Sequence, residues 1–408
     1  MTLFYNIGIR LYYVFVLFAS LFNGKAKLWI KGRKGVLKRL SGLVEHNTEY
    51  IWVHVSSLGE FEQGRPLMES LKVKFPKIKI ILTFFSPSGY EVKKNYSGAD
   101  IICYLPLDTK LNAKRFIKIV KPKYTFFIKY EYWYNFLKQA KKSDSKLYLV
   151  SGIFRENQLF FKWYGGWYRK ILGYFDHLFV QNEESASMLE SIGLKQYTVT
   201  GDSRFDRVVQ IANQSKEIKY AQEFSNGSLT VVCGSTWEPD EDIITQYINQ
   251  SDNKIKFIIA PHEISNEKVE NLIKKLKVRY VRFSMIGNED LQLVKVMIID
   301  NIGMLSSIYK YGKVAYIGGG FGAGIHNTLE AAVFNIPIIF GPNYKKFNEA
   351  VELIKKGGSY SIVNYDEFKQ VLDTLIDSEK LLLESGANAG NYVQSKTGAT
   401  QTIIEYLY

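Results

Sequence analysis

What most constrains the fold of this chain is an alternation that runs along it twice. Short apolar runs rich in β-branched and aromatic residues are each followed by a longer stretch of helical periodicity. The first series comprises YIWVHVSS, IKIILTFFS, DIICYLP, YTFFIKY, KLYLVSG, HLFVQN and YTVTG. Helix-like stretches lie between them at FEQGRPLMESLKVKF and around 109–120, 133–143, 157–174 and 183–193. Repeated βα units of this kind build a parallel, doubly wound sheet.

The segment DSRFDRVVQIANQSKEIKYAQEFSNGS is polar and holds no strand signal, so it reads as a connection. A second series follows it: LTVVCGS, KFIIAPH, YVRFS, VMIID, VAYIGGG, IPIIFG and YSIV. The expectation is an α/β chain of two Rossmann-like, doubly wound parallel-sheet domains facing a cleft, with ligands at the carboxyl ends of the strands. A length of 408 residues agrees with two such domains. The expected divisions are an apolar and basic segment (1–40), a first domain (41–205), the connection (206–228), a second domain (229–390) and a last segment (391–408). The amphipathic TGATQTIIEYLY in that last segment is expected to cross back onto the first domain.

A net charge of +13 points to nucleic acid, an anionic membrane or an anionic substrate. No basic run interleaved with aromatics resembles an RNA-binding motif, so no nucleic-acid partner is expected. Instead Lys25, Lys27, Lys31, Arg33, Lys34, Lys38 and Arg39 follow directly on the apolar stretch IRLYYVFVLFASLF at 9–22, which carries Arg10 near its start. That stretch is short of the roughly 20 residues a span needs, and LWIKGRKGVLKRL offers no cleavage site. It reads as a membrane-associated helix, monotopic or marginally spanning, held to anionic lipid by its basic flank. The alternative is a core helix of the first domain. Cys103 and Cys233 both sit in strand-like runs, so no disulfide framework is expected.

Chemistry is expected at four places. Ser56-Ser57-Leu58-Gly59-Glu60 joins the first strand to its helix, where the positive end of the helix dipole favours an ionised carboxylate. Glu60 there is either a general base or only a favourable charge in the first turn. Glu131, in KYEYW after the strand YTFFI, puts a second acid at a strand's carboxyl end. The stretch Gly318-Gly319-Gly320-Phe321-Gly322-Ala323-Gly324-Ile325-His326-Asn327-Thr328-Leu329-Glu330 reads as a phosphate loop running into a helix, TLEAAVF. Its spacing is not that of a dinucleotide fingerprint. Asn327 and Glu330 also fit a capping box, with Glu330 as a ribose-hydroxyl acceptor the alternative. Ser235 and Thr236 follow LTVVC, as phosphate ligands or helix caps. Asp240-Glu241-Asp242 falls in a first helical turn, where acids are favoured by the dipole alone, and the five histidines show no ligand spacing, so no metal is expected.

Together these motifs resemble the family of 3-deoxy-D-manno-octulosonic acid (Kdo) transferases of lipopolysaccharide synthesis. SSLGEFEQGRPL, FFSPSGYE, YLPLDT, KYEYW, SGIFRE, GDSRFDRV, GSTW, IAPHE and GGGFGAGIHNTLEAAVFNIPIIFGP follow in the family's order over nearly the whole chain. The resemblance implies a GT-B glycosyltransferase acting at the cytoplasmic face of the inner membrane. It would move Kdo from CMP-Kdo to a lipid A precursor, with inversion and without a metal or other cofactor. By the same resemblance Glu60 is the catalytic base and Glu131 a second essential acid. Donor binding falls on Ser235, Thr236, Gly318, Gly319, Gly320, Gly322, Gly324, His326, Asn327 and Glu330. The family often has Arg after the proline of the APH segment and Asn after FGP. This chain has His262 and Lys346 there, and both join the donor candidates. The alternatives are a GT-B enzyme using a UDP-sugar, or an inactive membrane-bound scaffold of the same fold.

Overall fold

The structure, a computed structural model, describes residues 1–215, 217–251 and 255–407. Lys216 of the expected connection, 252–254 of the second series and Tyr408 of the last segment lie outside the described residues. The chain divides into two compact units, residues 1–207 with 397–408, and residues 208–396.

The first unit holds strands β1 (Tyr50–Val55), β2 (Lys79–Phe84), β3 (Ile101–Tyr104), β4 (Pro122–Ile128), β5 (Lys146–Gly152), β6 (His177–Val180) and β7 (Tyr197–Val199). They form one parallel sheet in the order β3-β2-β1-β4-β5-β6-β7. The second unit holds β8 (Thr230–Thr236), β9 (Lys256–Pro261), β10 (Tyr280–Arg282), β11 (Val296–Ile298), β12 (Val314–Ile317), β13 (Ile338–Phe340) and β14 (Ser359–Ser361). These too are all parallel, in the order β10-β11-β9-β8-β12-β13-β14. All fourteen apolar runs are strands, because a parallel sheet covered on both faces buries every side chain of its central strands.

Alternate residues of β1 feed two cores. Trp52 packs with Phe116, Phe127 and Phe136 on one face, while Ile51, Val53 and Val55 join Phe61, Leu67, Phe84 and Val150 on the other. The last helix, Ala399–Tyr406, belongs to this second core through the buried Ile403 and Ile404. Asp206 fastens its start by accepting from the Gly398 and Thr400 amides, both at 2.7 Å.

One helical expectation fails. The stretch 157–174 is not one helix: a 3-10 turn, Leu159–Phe161, is followed by a short helix, Gly166–Leu172. The chain folds back so tightly at Gly165 that a Cβ there would lie 2.1 Å from the Leu159 carbonyl oxygen. The polar connection, expected to hold no strand, is largely helical, in Ser203–Gln214 and Lys219–Ser225.

The N-terminal segment forms α1 (Thr2–Ala19), α2 (Gly24–Arg33) and α3 (Val36–Leu43). The Asn23 side chain caps α2 by accepting from the Ala26 amide at 3.1 Å. No residue of α1 is buried, which removes the core-helix alternative; Phe4, Leu11, Phe15 and Phe18 are 63–72% exposed. By length and composition α1 is apolar enough to cross a membrane. One edge is held to the unit by Tyr5, whose hydroxyl donates to Asp108 at 2.5 Å.

Candidate functional site

In each unit the sequence-predicted residues fall where the strand order reverses. In the first sheet the reversal lies between β1 and β4, in the second between β8 and β12. At such a point successive crossovers leave on opposite faces, and the separating loops open a crevice at the strand ends.

In the first unit, helix α4 (Leu58–Lys74) starts immediately after β1 with Ser57 as its N-cap. Glu60 closes a capping box: its Oε2 accepts from the Ser57 amide at 2.8 Å and from the Ser57 hydroxyl. Glu60 therefore does take the cap role, and it stays half-buried at the mouth of the strand. Its charge is felt by Tyr130, whose phenol is pushed up by burial and drawn back by Arg155 and Arg204. These three side chains come from the motifs KYEYW, SGIFRE and GDSRFDRV, so the fold gathers four separate motifs at one strand end. Asp202 locks the arrangement, accepting from Gln63 of α4 at 2.9 Å and pairing with Arg204 at 2.8 Å.

Glu131 follows β4, which pairs with β1. It is 9% exposed, and its Oε2 accepts from the Trp133 indole at 2.5 Å and faces His54 Nε2 at 3.2 Å. Burial pushes this carboxyl up, but hydrogen bonds from His54, Trp133 and Ser56 outweigh it and hold Glu131 below the usual carboxylate range. His54 is fully buried; its Nδ1 lies 2.8 Å from the Thr83 hydroxyl and 3.1 Å from the Thr83 carbonyl. Sequence reasoning missed this histidine, treating it only as a metal ligand without a partner. The available signal was a lone titratable group inside the otherwise apolar run YIWVHV.

In the second unit the glycine loop is braced by its own hydrogen bonds. The Gly319 amide donates to Asp240 at 2.9 Å, Gly318 to the Gly234 carbonyl at 2.9 Å, and Gly322 and Gly324 both to the Gly319 carbonyl. Four amides of the expected phosphate cradle are thus satisfied within the unit. The glycines also permit close approach: a Cβ at Gly318 would sit 2.3 Å from the Ser235 carbonyl oxygen, and one at Gly320 2.6 Å from Gly341 Cα. The helix after the loop is also a correction, since it is a single turn, Leu329–Ala332, too short to carry much dipole. Asn327 lies just before its N-cap, Thr328, accepting from the Leu329 amide at 3.1 Å and donating to Glu330 at 3.0 Å.

Thr236 is buried and donates to Glu241 at 3.1 Å. Ser235 beside it is half-buried at φ +54°. The three consecutive acids at 240–242 are engaged separately. Asp240 accepts from the Trp237 amide, the Gly319 amide and the Tyr316 hydroxyl, Glu241 accepts from Thr236, and Asp242 pairs with Lys275. Above them the Trp237, His262 and His326 rings stack, with His262 at 4.5 Å from each neighbour. The Trp237 indole donates to His326 Nε2 at 3.0 Å, and burial followed by the His262 charge holds the His326 imidazole below its ordinary value. Lys346 is exposed and donates to the Ala323 carbonyl, on the rim of the same loop. The site thus offers imidazole, ammonium and hydroxyl donors at the switch point, with the glycines as its frame.

Comparison with known proteins places the chain in a family. The family described as 3-deoxy-D-manno-octulosonic-acid transferase (kdotransferase) matches residues 30–207. The chain is 30% identical over 337 residues to the 3-deoxy-D-manno-octulosonic acid transferase of Aquifex aeolicus, covering 81% of this chain and 87% of that one. It is 24% identical over 373 residues to the corresponding transferase of Rickettsia bellii, covering 90% and 88%. The UDP-GlcNAc 2-epimerase of Neisseria meningitidis shares the fold alone, with a TM-score of 0.59 at 16% identity over 88% of this chain and 99% of that one. With two parallel seven-stranded sheets in the GT-B manner and 30% identity across four-fifths of its length, the chain belongs to the Kdo transferase family of glycosyltransferases.

Proposed function

We propose that this protein transfers Kdo from CMP-Kdo to a lipid A precursor, with inversion at the anomeric carbon and without a metal ion. The observation that carries the reading is the pair of carboxylates at the carboxyl ends of β1 and β4, the two strands that flank the switch point of the first sheet. Glu60 uses Oε2 for its cap, and among the described residues no hydrogen bond is made by Oε1. That oxygen is the base. It takes the proton of an acceptor hydroxyl as the hydroxyl oxygen bonds to the anomeric carbon of Kdo, and the carbon–oxygen bond to phosphate breaks with its electron pair leaving on CMP. Glu131, kept ionised by His54, Trp133 and Ser56, orients the acceptor.

Donor recognition falls on the second unit. Ser235, His262, His326 and Lys346 supply donors for the phosphate and carboxylate oxygens, and Glu330 takes a ribose hydroxyl. Metal independence is supported by the acids at 240–242, each occupied by its own protein partner. The exposed apolar face of α1 and the basic helices after it support work on anionic lipid, at the cytoplasmic face of the inner membrane.

The test is mass spectrometry of a tetraacylated lipid A precursor after incubation with CMP-Kdo, and in parallel with UDP-sugars. Addition of Kdo from CMP-Kdo is the expected result, and it continues in the presence of a chelator. Glu60→Gln, which keeps a carbonyl for the cap, should lower kcat by roughly 10²–10⁴ while leaving the melting curve and donor affinity unchanged. Turnover at the parent rate removes Glu60 as base.

A further inference from the structure

The first 44 residues contain eight basic side chains and no acidic one. Three of these cations, Arg33, Lys34 and Lys38, line a pocket of about 520 Å³ where the end of α2 and the start of α3 meet the side of α1, and whose apolar walls include Tyr13, Ile30 and Leu107. Arg33 is the unusual member. Its guanidinium lies 3.7 Å over the Trp29 ring and donates to the Phe85 carbonyl at 2.7 Å, yet among the described residues it meets no carboxylate, and its buried Nε–H has no acceptor. Burial without a counter-charge pushes it down to about 9. Lys34 and Lys38 make no ion pair among the described residues either. A cation held in a protein wall and left unpaired, with two more beside it, is a site waiting for an anion.

The pocket adjoins the candidate catalytic loops. Phe85, which accepts from Arg33, bonds its own amide to the Val55 carbonyl and stacks its ring on Trp133 at 4.7 Å, and Trp133 donates to Glu131. The next amide, Ser86, bonds to the Ser56 carbonyl, one residue before the Glu60 cap. On its other side the pocket opens beside Tyr13 of α1, whose exposed face is apolar.

We propose that this pocket is the phosphate subsite for the acceptor. It takes a phosphate monoester of an acylated sugar whose chains lie along α1 and whose sugar reaches the loops of Ser57 and Glu131. The assignment rests on the reading that the acceptor is a phosphorylated glycolipid, and the continuity with those loops favours acceptor over bulk lipid.

The experiment uses the full chain in neutral detergent micelles, with a bisphosphorylated tetraacyl disaccharide and its dephosphorylated counterpart as acceptors. Lys34→Gln/Lys38→Gln removes two exposed charges and is compared with Lys142→Gln/Lys146→Gln, which removes two elsewhere on the unit. The first variant should raise KM for the phosphorylated acceptor roughly tenfold or more, the scale of a lost charge-assisted hydrogen bond, with donor KM unchanged. The dephosphorylated acceptor and the second variant should show no such rise. Arg33→Lys, which keeps the charge and loses the planar fork, should act in the same direction as the first variant. An equal rise with both acceptors or with both variants overturns the proposal. So does an unchanged acceptor KM combined with weaker sedimentation on phosphatidylglycerol vesicles, which gives the pocket to bulk lipid. If the parent protein turns over neither acceptor, the functional reading has failed and the subsite is judged by binding alone. Saturable binding of the phosphorylated glycolipid that the first variant weakens sustains it, and no binding sinks it.

Discussion

His54 shows how one buried titratable group organises a strand end. Its Nε2 and the Trp133 indole nitrogen both approach Glu131 Oε2, at 3.2 and 2.5 Å, so the carboxylate collects two donors from one side. For Nε2–H to donate, Nδ1 either accepts from the Thr83 hydroxyl or, in the imidazolium, donates to the Thr83 carbonyl, and both oxygens lie within reach. Thr83 is fixed in turn by the Trp52 indole at 2.8 Å. Since the folded value of Glu131 lies below the ordinary 4.5, its ionised network stabilises the fold above that pH and is lost as pH falls through the folded value. Replacing His54 by Leu removes a donor to the charged form, so the carboxyl rises. The acid limb of the kcat profile should then move up by about one pH unit, because a hydrogen bond to a charged group is of the order of one unit of pKa. Trp133→Phe should move it the same way from a less buried position. A drop in kcat with the limb unmoved in both variants would leave His54 a packing residue only.

At the scale of elements, the strands were legible and the glycine loop was not. Parallel strands covered on both faces read as unbroken apolar runs, as in the fully buried Tyr50–Val55, whereas the partly exposed edges Tyr197–Val199 and Ser359–Ser361 show only through their place in the alternation. The loop 318–324 carries the composition of an anion cradle, yet the partners of its Gly318 and Gly319 amides are tertiary. Asp240, which holds the Gly319 amide, stands 79 residues away on another helix, and no local pattern announces that bond. Likewise the periodicity at 157–174 cannot show that Gly165 folds against the Leu159 carbonyl. Close approach separates the glycines of the loop. Gly320→Ala would drive a Cβ to 2.6 Å from the backbone of Gly341 and should cost about 1–3 kcal/mol or more, read as a lower melting temperature. Gly322→Ala meets nothing nearer than the Gly319 carbonyl at 3.7 Å and should melt with the parent. Equal melting of the two variants would mean that the loop adjusts freely and that close approach does not explain its glycines.

Across the whole molecule the charge is strongly uneven. More than half of the net +13 is carried by the first 44 residues, which also hold the exposed apolar face of α1. The two features bind a membrane by different physics. Apolar burial is insensitive to salt and to lipid charge, whereas attraction of lysines to anionic headgroups is worth about 1 kcal/mol each and fades within a Debye length. They can therefore be separated by measurement. Lys25→Gln/Lys27→Gln changes two exposed positions of α2 and leaves α1 and its contact through Tyr5 and Asp108 untouched. On vesicles containing phosphatidylglycerol at about 0.1 M salt, the variant should bind roughly tenfold or more weakly than the parent, from the two lost attractions. At about 0.5 M salt, where screening is severe, the two proteins should converge, and on pure phosphatidylcholine they should never differ. What remains under those conditions measures α1 alone. Binding of the parent that is equal on neutral and anionic vesicles at low salt would show that the basic helices take no part in attachment and that their charge serves the acceptor only.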